Sequence, residues 1–440
     1  MRLIAPLATL ILVLPAAAAM AQTQAPLQTT QPASQLPAQT LPAPPVQPGP
    51  TAAELATFKG CMAKLRSTAA GKGVAVDSFD RLTSNLAPDM SVLPLLDRQP
   101  EFSTPIWDYL AALVDQQRID DGRAMLAAQA ATLARAQAEY GVDQATVVAV
   151  WGVESDYGKS FGKRPLLVSL STLSCFGRRQ PFFQGELIAT LQLLASGDLA
   201  DPGITGSWAG AFGHTQFMPS TYQRIAVDFD GDGRRDLVGS IPDALGSTAN
   251  YLKRSGWRTG EPWGYEVQLP QGFNAAQAGR TNRKPLSEWV KQGVRQVDGS
   301  AVGGVAADAR AAVILPAGAK GPAFLVFKNF DAIYSYNAAE SYALAIAHLA
   351  DRLRGGGGFA TAWPTDDPGI GRAERRELQE LLLARGHAIG EADGMVGTLT
   401  RRAIAVEQER LGFTPADGRA GLRILTALRA EKAPAAKTLR

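Results

Sequence analysis

Glu154 is the residue of this chain best suited by its surroundings to transfer a proton. It follows the apolar run 147–150 and lies in the sequence WGVESDYG, residues 151–158. A carboxyl group at the edge of an apolar segment can have its pKa raised enough to keep its proton near neutral pH. We therefore interpret Glu154 as a candidate general acid. The alternative is a solvated glutamate at a helix end, because structural carboxylates far outnumber catalytic ones.

A second candidate region is the sequence SWAGAFGHTQFMPSTY, residues 207–222. Its glycines allow a ligand to approach the backbone, and Ser207 and Gln216 can form hydrogen bonds with the hydroxyl or acetamido groups of a sugar. The aromatic residues can stack on sugar faces. The alternative is a glycine-rich turn that buries Phe217 and Met218 in the core.

A third region, DFDGDGRRD at residues 228–236, resembles the first half of an EF-hand calcium loop. Side-chain oxygens occur at alternate positions, and a glycine stands at the sixth position. The twelfth position is Gly239 where an EF-hand has a bidentate glutamate, and Asp243 lies four residues further on. The alternative is a polar turn that binds no metal. The candidate calcium ligands are Asp228, Asp230, Asp232, the carbonyl of Arg234, and Asp243.

A fourth cluster, NFDAIYSYN at residues 329–337, is followed by Tyr342. Tyr336, Asn337 and Tyr342 are candidates to face a cleft. Aromatic residues beside a helix more often belong to the core, so this pattern is weak evidence by itself.

The elements that must position these residues are mainly helical. Residues 115–140 are rich in Ala, Leu and Gln and end at Gly141, and Asp143 is a suitable N-cap for a helix that runs to Glu154. Between residues 264 and 316, alternating and β-branched residues predict a small insertion that contains strands, at 265–269 and 312–315. A further strand is predicted at 323–327, before helical periodicity resumes over 338–353.

The N-terminal segment has the pattern of a secretory signal peptide, residues 1–21, with cleavage before Gln22. Residues 22–50 are uncharged and rich in Gln and Pro, which is typical of a linker. No other stretch reaches the length of a membrane helix, and no cysteine follows the apolar segment as a lipid attachment site. We expect an exported, soluble mature protein without a membrane anchor.

The overall composition excludes several kinds of site. With 44 basic and 41 acidic residues, the chain is too balanced to indicate a nucleic-acid partner. Its three histidines are far apart, so no spacing indicates a zinc site or a Ser-His-Asp triad. The two cysteines, Cys61 and Cys175, either form a disulfide in an oxidising compartment or remain buried thiols.

The C-terminal part is predicted to be a separate unit. Residues 355–369 have the glycines and prolines of a linker, and residues 370–430 form short helical stretches separated by Asp-Gly and Gly turns. We therefore expect a catalytic domain at 51–354 and a small helical domain at 370–430.

Taken together, the motifs resemble the lytic murein transglycosylase B family over residues 54–353. The resemblance is carried by WGVE at 151–154, SWAGA at 207–211 with QFMPS at 216–220, the Asp-Gly run at 230–236, and ANYL at 249–252. The C-terminal pattern resembles a three-helix peptidoglycan-binding domain. The implied fold class is mainly α: a lysozyme-like α+β catalytic domain with a small strand-containing insertion, followed by a C-terminal three-helix wall-binding domain.

This resemblance implies a periplasmic enzyme whose partner is the glycan strand of peptidoglycan. The expected reaction cleaves the β-1,4 bond between N-acetylmuramic acid and N-acetylglucosamine without water and leaves a 1,6-anhydro ring. Glu154 would act first as acid and then as base, no cofactor would be required for the chemistry, and calcium would be structural. The implied substrate-binding residues are Ser207, Gln216, Tyr251, Tyr336, Asn337 and Tyr342.

Two other functions remain open at this point. A hydrolytic muramidase would pair Glu154 with a second carboxylate roughly 5 to 9.5 Å away, for which Asp156 and Glu186 are candidates. A wall-binding protein without activity is the second alternative.

Overall fold

The structure of the protein, a computed structural model, describes residues 49–97 and 99–432. The predicted signal peptide and residues 22–48 of the predicted linker lie outside this part. The described chain is mostly helical with two small antiparallel sheets, which confirms the predicted fold class. Among the described residues, no helix is both long enough and apolar enough to span a membrane.

Seventeen α-helices occur in the described residues. The first nine are α1 Ala52–Ala70, α2 Val76–Thr83, α3 Pro100–Ser103, α4 Ile106–Leu113, α5 Gln116–Ala128, α6 Ala130–Tyr140, α7 Gln144–Ser155, α8 Leu166–Cys175 and α9 Gln180–Ser196. The remaining eight are α10 Pro219–Ile225, α11 Ile241–Arg254, α12 Leu286–Lys291, α13 Lys328–Asn337, α14 Glu340–Leu353, α15 Arg372–Ala384, α16 Thr398–Arg410 and α17 Leu422–Lys432.

Helix α7, which carries Glu154, lies in the centre of the main hydrophobic core. Asp143 caps it as predicted, because its side chain accepts a hydrogen bond of 3.0 Å from the amide of Thr146. Every residue from 145 to 152 is buried, as expected for a helix that is apolar on all sides. Helix α14 packs against α7 and is similarly buried. The end of α7 is therefore held by surrounding helices.

The predicted strands are present with small shifts at their ends. A five-stranded antiparallel sheet has the order β4-β6-β7-β3-β5, and a two-stranded sheet pairs β1 with β2. The strands are β1 Arg164–Pro165, β2 Thr205–Gly206, β3 Gly264–Gln268, β4 Lys284–Pro285, β5 Arg295–Gln296, β6 Arg310–Ile314 and β7 Ala323–Val326. The larger sheet lies in the predicted insertion and the strand that follows it.

Cys61 and Cys175 are joined by a disulfide. The bond links α1 to the end of α8, and both helices contribute to one hydrophobic cluster with α9. Of the two interpretations left open by the sequence, the structure therefore has the disulfide and not the buried thiols.

The three C-terminal helices surround a core of their own. Two turns in this unit are fixed in the same way. The side chain of Gln379 accepts a hydrogen bond from the amide of Gly394 and donates one to Asp393, and Gln408 does the same with Gly418 and Asp417. These buried glutamines explain the repeated Asp-Gly pattern of the sequence.

Candidate active site

The carboxyl group of Glu154 lies in the last turn of α7 and is partly buried. Its Oε1 accepts a hydrogen bond from the hydroxyl of Tyr342, which lies in α14. Burial raises the pKa of Glu154 to about 8, the hydrogen bond from Tyr342 opposes this rise, and the negative charge of Glu101 adds to it. A carboxyl with such a pKa is protonated at neutral pH and can donate its proton.

A row of aromatic rings leads from Glu154 across the site. The ring of Tyr342 stacks on that of Tyr336 with 6.3 Å between centroids, and Tyr336 lies 4.6 Å from Tyr251. Phe217 contacts both Tyr251 and Tyr336. The structure thus brings together all three predicted substrate-binding tyrosines and the proposed acid. Burial and the nearby charge of Glu154 raise the pKa of both Tyr336 and Tyr342, which keeps these hydroxyls neutral as hydrogen-bond donors.

The glycine-rich segment is attached to the end of α7 through His214. The indole nitrogen of Trp151 donates a hydrogen bond of 3.0 Å to Nδ1 of His214, and the hydroxyl of Ser155 donates to the carbonyl of His214. Gly158 has a positive φ of 84°, and a β-carbon there would lie 2.5 Å from the His214 ring. Burial lowers the pKa of His214, so the ring stays neutral. These contacts fix the segment beside Glu154.

Gln216 and Ser207 are held within the same segment. Gln216 has a φ of 50°, and its side-chain amide donates to the carbonyls of Gly213 and Phe161, at 2.8 and 3.3 Å. Its Oε1 takes part in neither of these two hydrogen bonds. The hydroxyl of Ser207 accepts a hydrogen bond from the amide of Ala211. The backbone amide of Ser207 donates to the carbonyl of Ala211 at 2.8 Å, so Ser207 and Ala211 close the turn between them.

Asn337 contacts Glu101, a residue that the sequence did not single out. Its Nδ2 donates to Oε1 of Glu101 at 3.3 Å. Ser341 also holds Glu101, through a hydrogen bond to its carbonyl oxygen. Glu101 belongs to the short helix α3 and has no motif around it, so only the folded chain reveals that its charge acts on Glu154.

Tyr109 is a second residue that was missed. It is buried in α4, and its pKa is raised by burial and then by the charges of Glu101 and Glu154. Its apolar surroundings in the sequence predict a core residue, and nothing in its spacing indicates that it lies near the acid.

The two carboxylates considered as partners for Glu154 are engaged elsewhere. Both oxygens of Glu186 accept hydrogen bonds from Ser220, at 2.9 and 2.7 Å. Asp156 is turned toward Arg118 and Arg372. Both carboxylates are therefore paired with groups other than Glu154.

The acidic loop brings three carboxylates together. Oxygens of Asp228, Asp230 and Asp232 all lie within 4.8 Å of one another, and the three residues are exposed. Backbone amides of the loop hold these carboxylates, including those of Gly231, Gly233 and Arg234. Oxygen ligands in a preformed group are what Ca²⁺ requires, so the loop fits this ion.

Asp243 has a different position from the other acids of the loop. It is fully buried, and its two oxygens accept hydrogen bonds from the amides of Phe229, Asp230 and Asp236. Its carboxylate therefore supports the backbone of the loop and is not part of the exposed cluster. The amide of Arg234 is fixed by Asp232, and its carbonyl remains the predicted ligand at the seventh position of the loop.

The family model of the transglycosylase SLT domain matches residues 57–351, and that of a putative peptidoglycan-binding domain matches residues 371–428. A curated relative, membrane-bound lytic murein transglycosylase B of Escherichia coli (strain K12), is 33% identical over 293 residues, which are 63% of this chain and 74% of that protein.

Two solved structures are also similar. SltB3 from Pseudomonas aeruginosa, in complex with NAG-anhNAM-pentapeptide, is 46% identical with a TM-score of 0.67, over 84% of this chain and 99% of that chain. The Escherichia coli lytic transglycosylase Slt35, in complex with calcium, is 28% identical with a TM-score of 0.59, over 70% of this chain and 95% of that chain.

Proposed function

Because the chain belongs to the family of the transglycosylase SLT domain and is a lytic transglycosylase of peptidoglycan, we propose that Glu154 is its single acid and base. The observation that carries this proposal is the raised pKa of Glu154 together with its hydrogen bond from Tyr342. The bond cleaved is the β-1,4 linkage between N-acetylmuramic acid and N-acetylglucosamine.

The reaction proceeds in two proton transfers. Protonated Glu154 donates its proton to the glycosidic oxygen as the bond from that oxygen to C1 breaks and positive charge develops at C1. The resulting carboxylate then takes the proton of the 6-hydroxyl of the same muramic residue, and O6 attacks C1. Glu154 ends protonated, no water is consumed, and the product carries a 1,6-anhydro ring.

The engagement of the other carboxylates supports this mechanism over hydrolysis. A hydrolytic muramidase needs a second carboxylate as nucleophile or base. Glu186 and Asp156 are bonded elsewhere, and Glu101 is held by Asn337. The side chain bonded to the acid is instead the neutral hydroxyl of Tyr342.

We assign substrate binding to the polar and aromatic residues around this acid. Tyr251 and Tyr336 are half-buried and provide faces for the sugar rings, whereas Tyr342 is buried and acts from beside the acid.

Asn337 and the Oε1 of Gln216 provide polar groups for hydroxyl or acetamido groups. The hydroxyl of Ser207 accepts a hydrogen bond from the amide of Ala211 and can donate its own hydrogen to the sugar.

The three-carboxylate loop is proposed as a structural calcium site. Asp228, Asp230, Asp232 and the carbonyl of Arg234 would hold the ion, with Asp243 as support of the loop backbone. Calcium would tie the loop between α10 and α11 together and would take no part in the proton transfers.

The domain division and the location of the protein are part of the same proposal. The catalytic domain spans 51–354, the linker 355–369 and the wall-binding domain 370–430. Since peptidoglycan lies outside the cytoplasm, we propose that residues 1–21 direct export to the periplasm. N-terminal sequencing of the exported protein should begin at Gln22, and retention of residues 1–21 would contradict cleavage.

Product analysis tests the reaction. Purified cell wall digested with the full mature chain should release muropeptides with 1,6-anhydro ends, detected by mass spectrometry. Products with reducing muramic ends alone would establish hydrolysis instead.

The role of Glu154 is tested separately with Glu154→Gln. This variant should release no soluble fragments while it still sediments with wall sacculi through the C-terminal domain. Unchanged lysis would show that another residue is the acid.

A further inference from the structure

A buried cluster of four charges joins the C-terminal domain to the end of helix α7. Arg372, the first residue of α15, donates a hydrogen bond of 2.8 Å to Oδ2 of Asp156. Arg118 lies 3.5 Å from the other oxygen of Asp156, and Asp115 lies 4.0 Å from Arg372. The four side chains are only 3% to 16% exposed. Two positive and two negative groups therefore balance inside the interface.

Asp156 has a left-handed backbone conformation, which is unfavourable for a residue other than glycine. It is the C-cap of α7, with φ 52° and ψ 49°, and Tyr157 after it also has a positive φ. Left-handed conformations at non-glycine residues cost free energy and persist only where neighbouring contacts impose them. Glu154 lies two residues earlier, in the turn that this cap closes.

The contact from Arg372 is the direct hydrogen bond that holds the Asp156 carboxylate. The nearest nitrogen of Arg118 forms no hydrogen bond, and Oδ1 of Asp156 has no hydrogen-bond partner among the described residues. Burial alone would raise the pKa of Asp156, but the hydrogen bond from Arg372 and the charge of Arg118 lower it. Removal of one partner of a buried ion pair leaves an uncompensated charge, which is strongly unfavourable.

We propose that Arg372 is a positioning residue for the reaction: through its hydrogen bond to Asp156, it fixes the last turn of α7 and so the carboxyl of Glu154. The proposal rests on the assignment of Glu154 as the acid. It means that the C-terminal domain contributes to catalysis itself and does not only hold the enzyme on the wall.

The simpler explanation is that Arg372 only holds the C-terminal domain against the catalytic domain. A second ion pair between the domains allows this explanation to be distinguished from the positioning role. Arg419 of the same domain forms two hydrogen bonds of 2.6 Å with the carboxylate of Asp108 in α4. This pair docks the domain without contact with α7. Arg419→Met is therefore the matched control for Arg372→Met.

The experiment measures kcat and KM of full-length variants on soluble glycan fragments, which do not require attachment to the wall. We expect Arg372→Met to lower kcat about tenfold or more with KM nearly unchanged, because small displacements of a reacting group slow catalysis strongly. Arg419→Met should retain kcat to within about twofold, as its contact lies outside α7. Circular dichroism and sedimentation with sacculi verify folding and wall binding.

A double-mutant cycle tests whether Arg372 acts through Asp156. Because the two side chains form one contact, the double variant Asp156→Asn, Arg372→Met should have a kcat no lower than that of the slower single variant. Losses of kcat that multiply would overturn the proposal. So would equal losses in the Arg372 and Arg419 variants, or an Arg372→Met variant as fast as the unchanged enzyme.

Lysine substitutions test the proposal if the methionine variants do not fold. If Arg372→Met does not fold, Arg372→Lys is used in its place, because it retains the charge but not the planar guanidinium. Arg372→Lys should lower kcat more than Arg419→Lys does. An equal effect of these two variants would contradict the proposal. An inactive Glu154→Gln beside a fully active Arg372→Met would overturn the positioning role alone. An active Glu154→Gln would overturn the assignment of the acid.

Discussion

The hydroxyl of Tyr342 donates a hydrogen bond to the carboxyl group of Glu154, and this bond connects α14 to α7, two helices of the main hydrophobic core. The two residues are 188 positions apart in the chain. The hydrogen bond favours the ionised form of Glu154, whereas burial favours the protonated form. Opposing influences of this kind suit a group that must first lose and then regain a proton.

Tyr342→Phe should therefore slow the reaction and shift its pH dependence. Without the hydroxyl, the ionised form of Glu154 loses a hydrogen-bond donor, so the pKa of Glu154 should rise further. The alkaline limb of the plot of kcat/KM against pH should therefore move to higher pH. Loss of a hydrogen bond to a charged group costs about 1.5 to 3 kcal/mol, or roughly ten- to hundredfold in kcat if the bond forms in the transition state. An unshifted alkaline limb in the kcat/KM profile would contradict this.

The pH dependence of the unchanged enzyme provides a direct check on Glu154. Because its pKa is raised to about 8, the acid is protonated at neutral pH, and kcat/KM should decline only above that value. The decline should be about tenfold per pH unit on soluble fragments. A decline that begins near pH 5 would mean that the essential acid has an ordinary pKa.

The same pKa predicts an effect on stability that does not depend on activity. Between pH 4.5, the ordinary value, and about 8, folded Glu154 retains a proton that the unfolded chain releases. The free energy of unfolding therefore falls as pH rises through this window. Glu154→Gln cannot titrate, so its stability relative to the unchanged protein should increase with pH, on the order of 1 to 3 kcal/mol by pH 8.5. Denaturant titrations at both ends of the window measure the difference, and a constant difference would disagree.

Glu101→Gln should shift the alkaline limb in the opposite direction from Tyr342→Phe. The negative charge of Glu101 raises the pKa of Glu154, so its removal should lower that pKa and move the limb to lower pH. Glu340→Gln is the control, because Glu340 lines the same cavity as Glu101 but is not among the groups that shift Glu154. Equal shifts in both variants would show that the effect is not specific to Glu101.

Calcium should raise the melting temperature of the full chain. An ion that binds only the folded state stabilises it by about 2.7 kcal/mol at one hundred times its dissociation constant. The double variant Asp230→Asn, Asp232→Asn should have the same melting temperature in chelator and in saturating calcium. Asp298→Asn, which alters an acid in a turn outside the loop, should retain it. Absence of any increase in the unchanged protein would establish the loop as metal-free.

Much of the fold was predictable because local sequence determines it. Asp143 caps α7 through its own side chain, apolar residues on every side of that helix require burial, and alternating residues produce strands at 264–268 and 310–314. The acidic loop was also predictable, since three aspartates at alternate positions meet wherever the loop folds.

The sequence by itself thus determined which residue is the candidate acid, which segments form the helices and strands, and which loop can hold calcium. The tertiary structure alone decided which groups act on that acid. Glu101, Tyr342 and the pair Asp156–Arg372 meet only because distant helices pack together. Burial, hydrogen bonding and charge pairing depend on these long-range contacts, and they set the pKa of Glu154 and, in our proposal, its position.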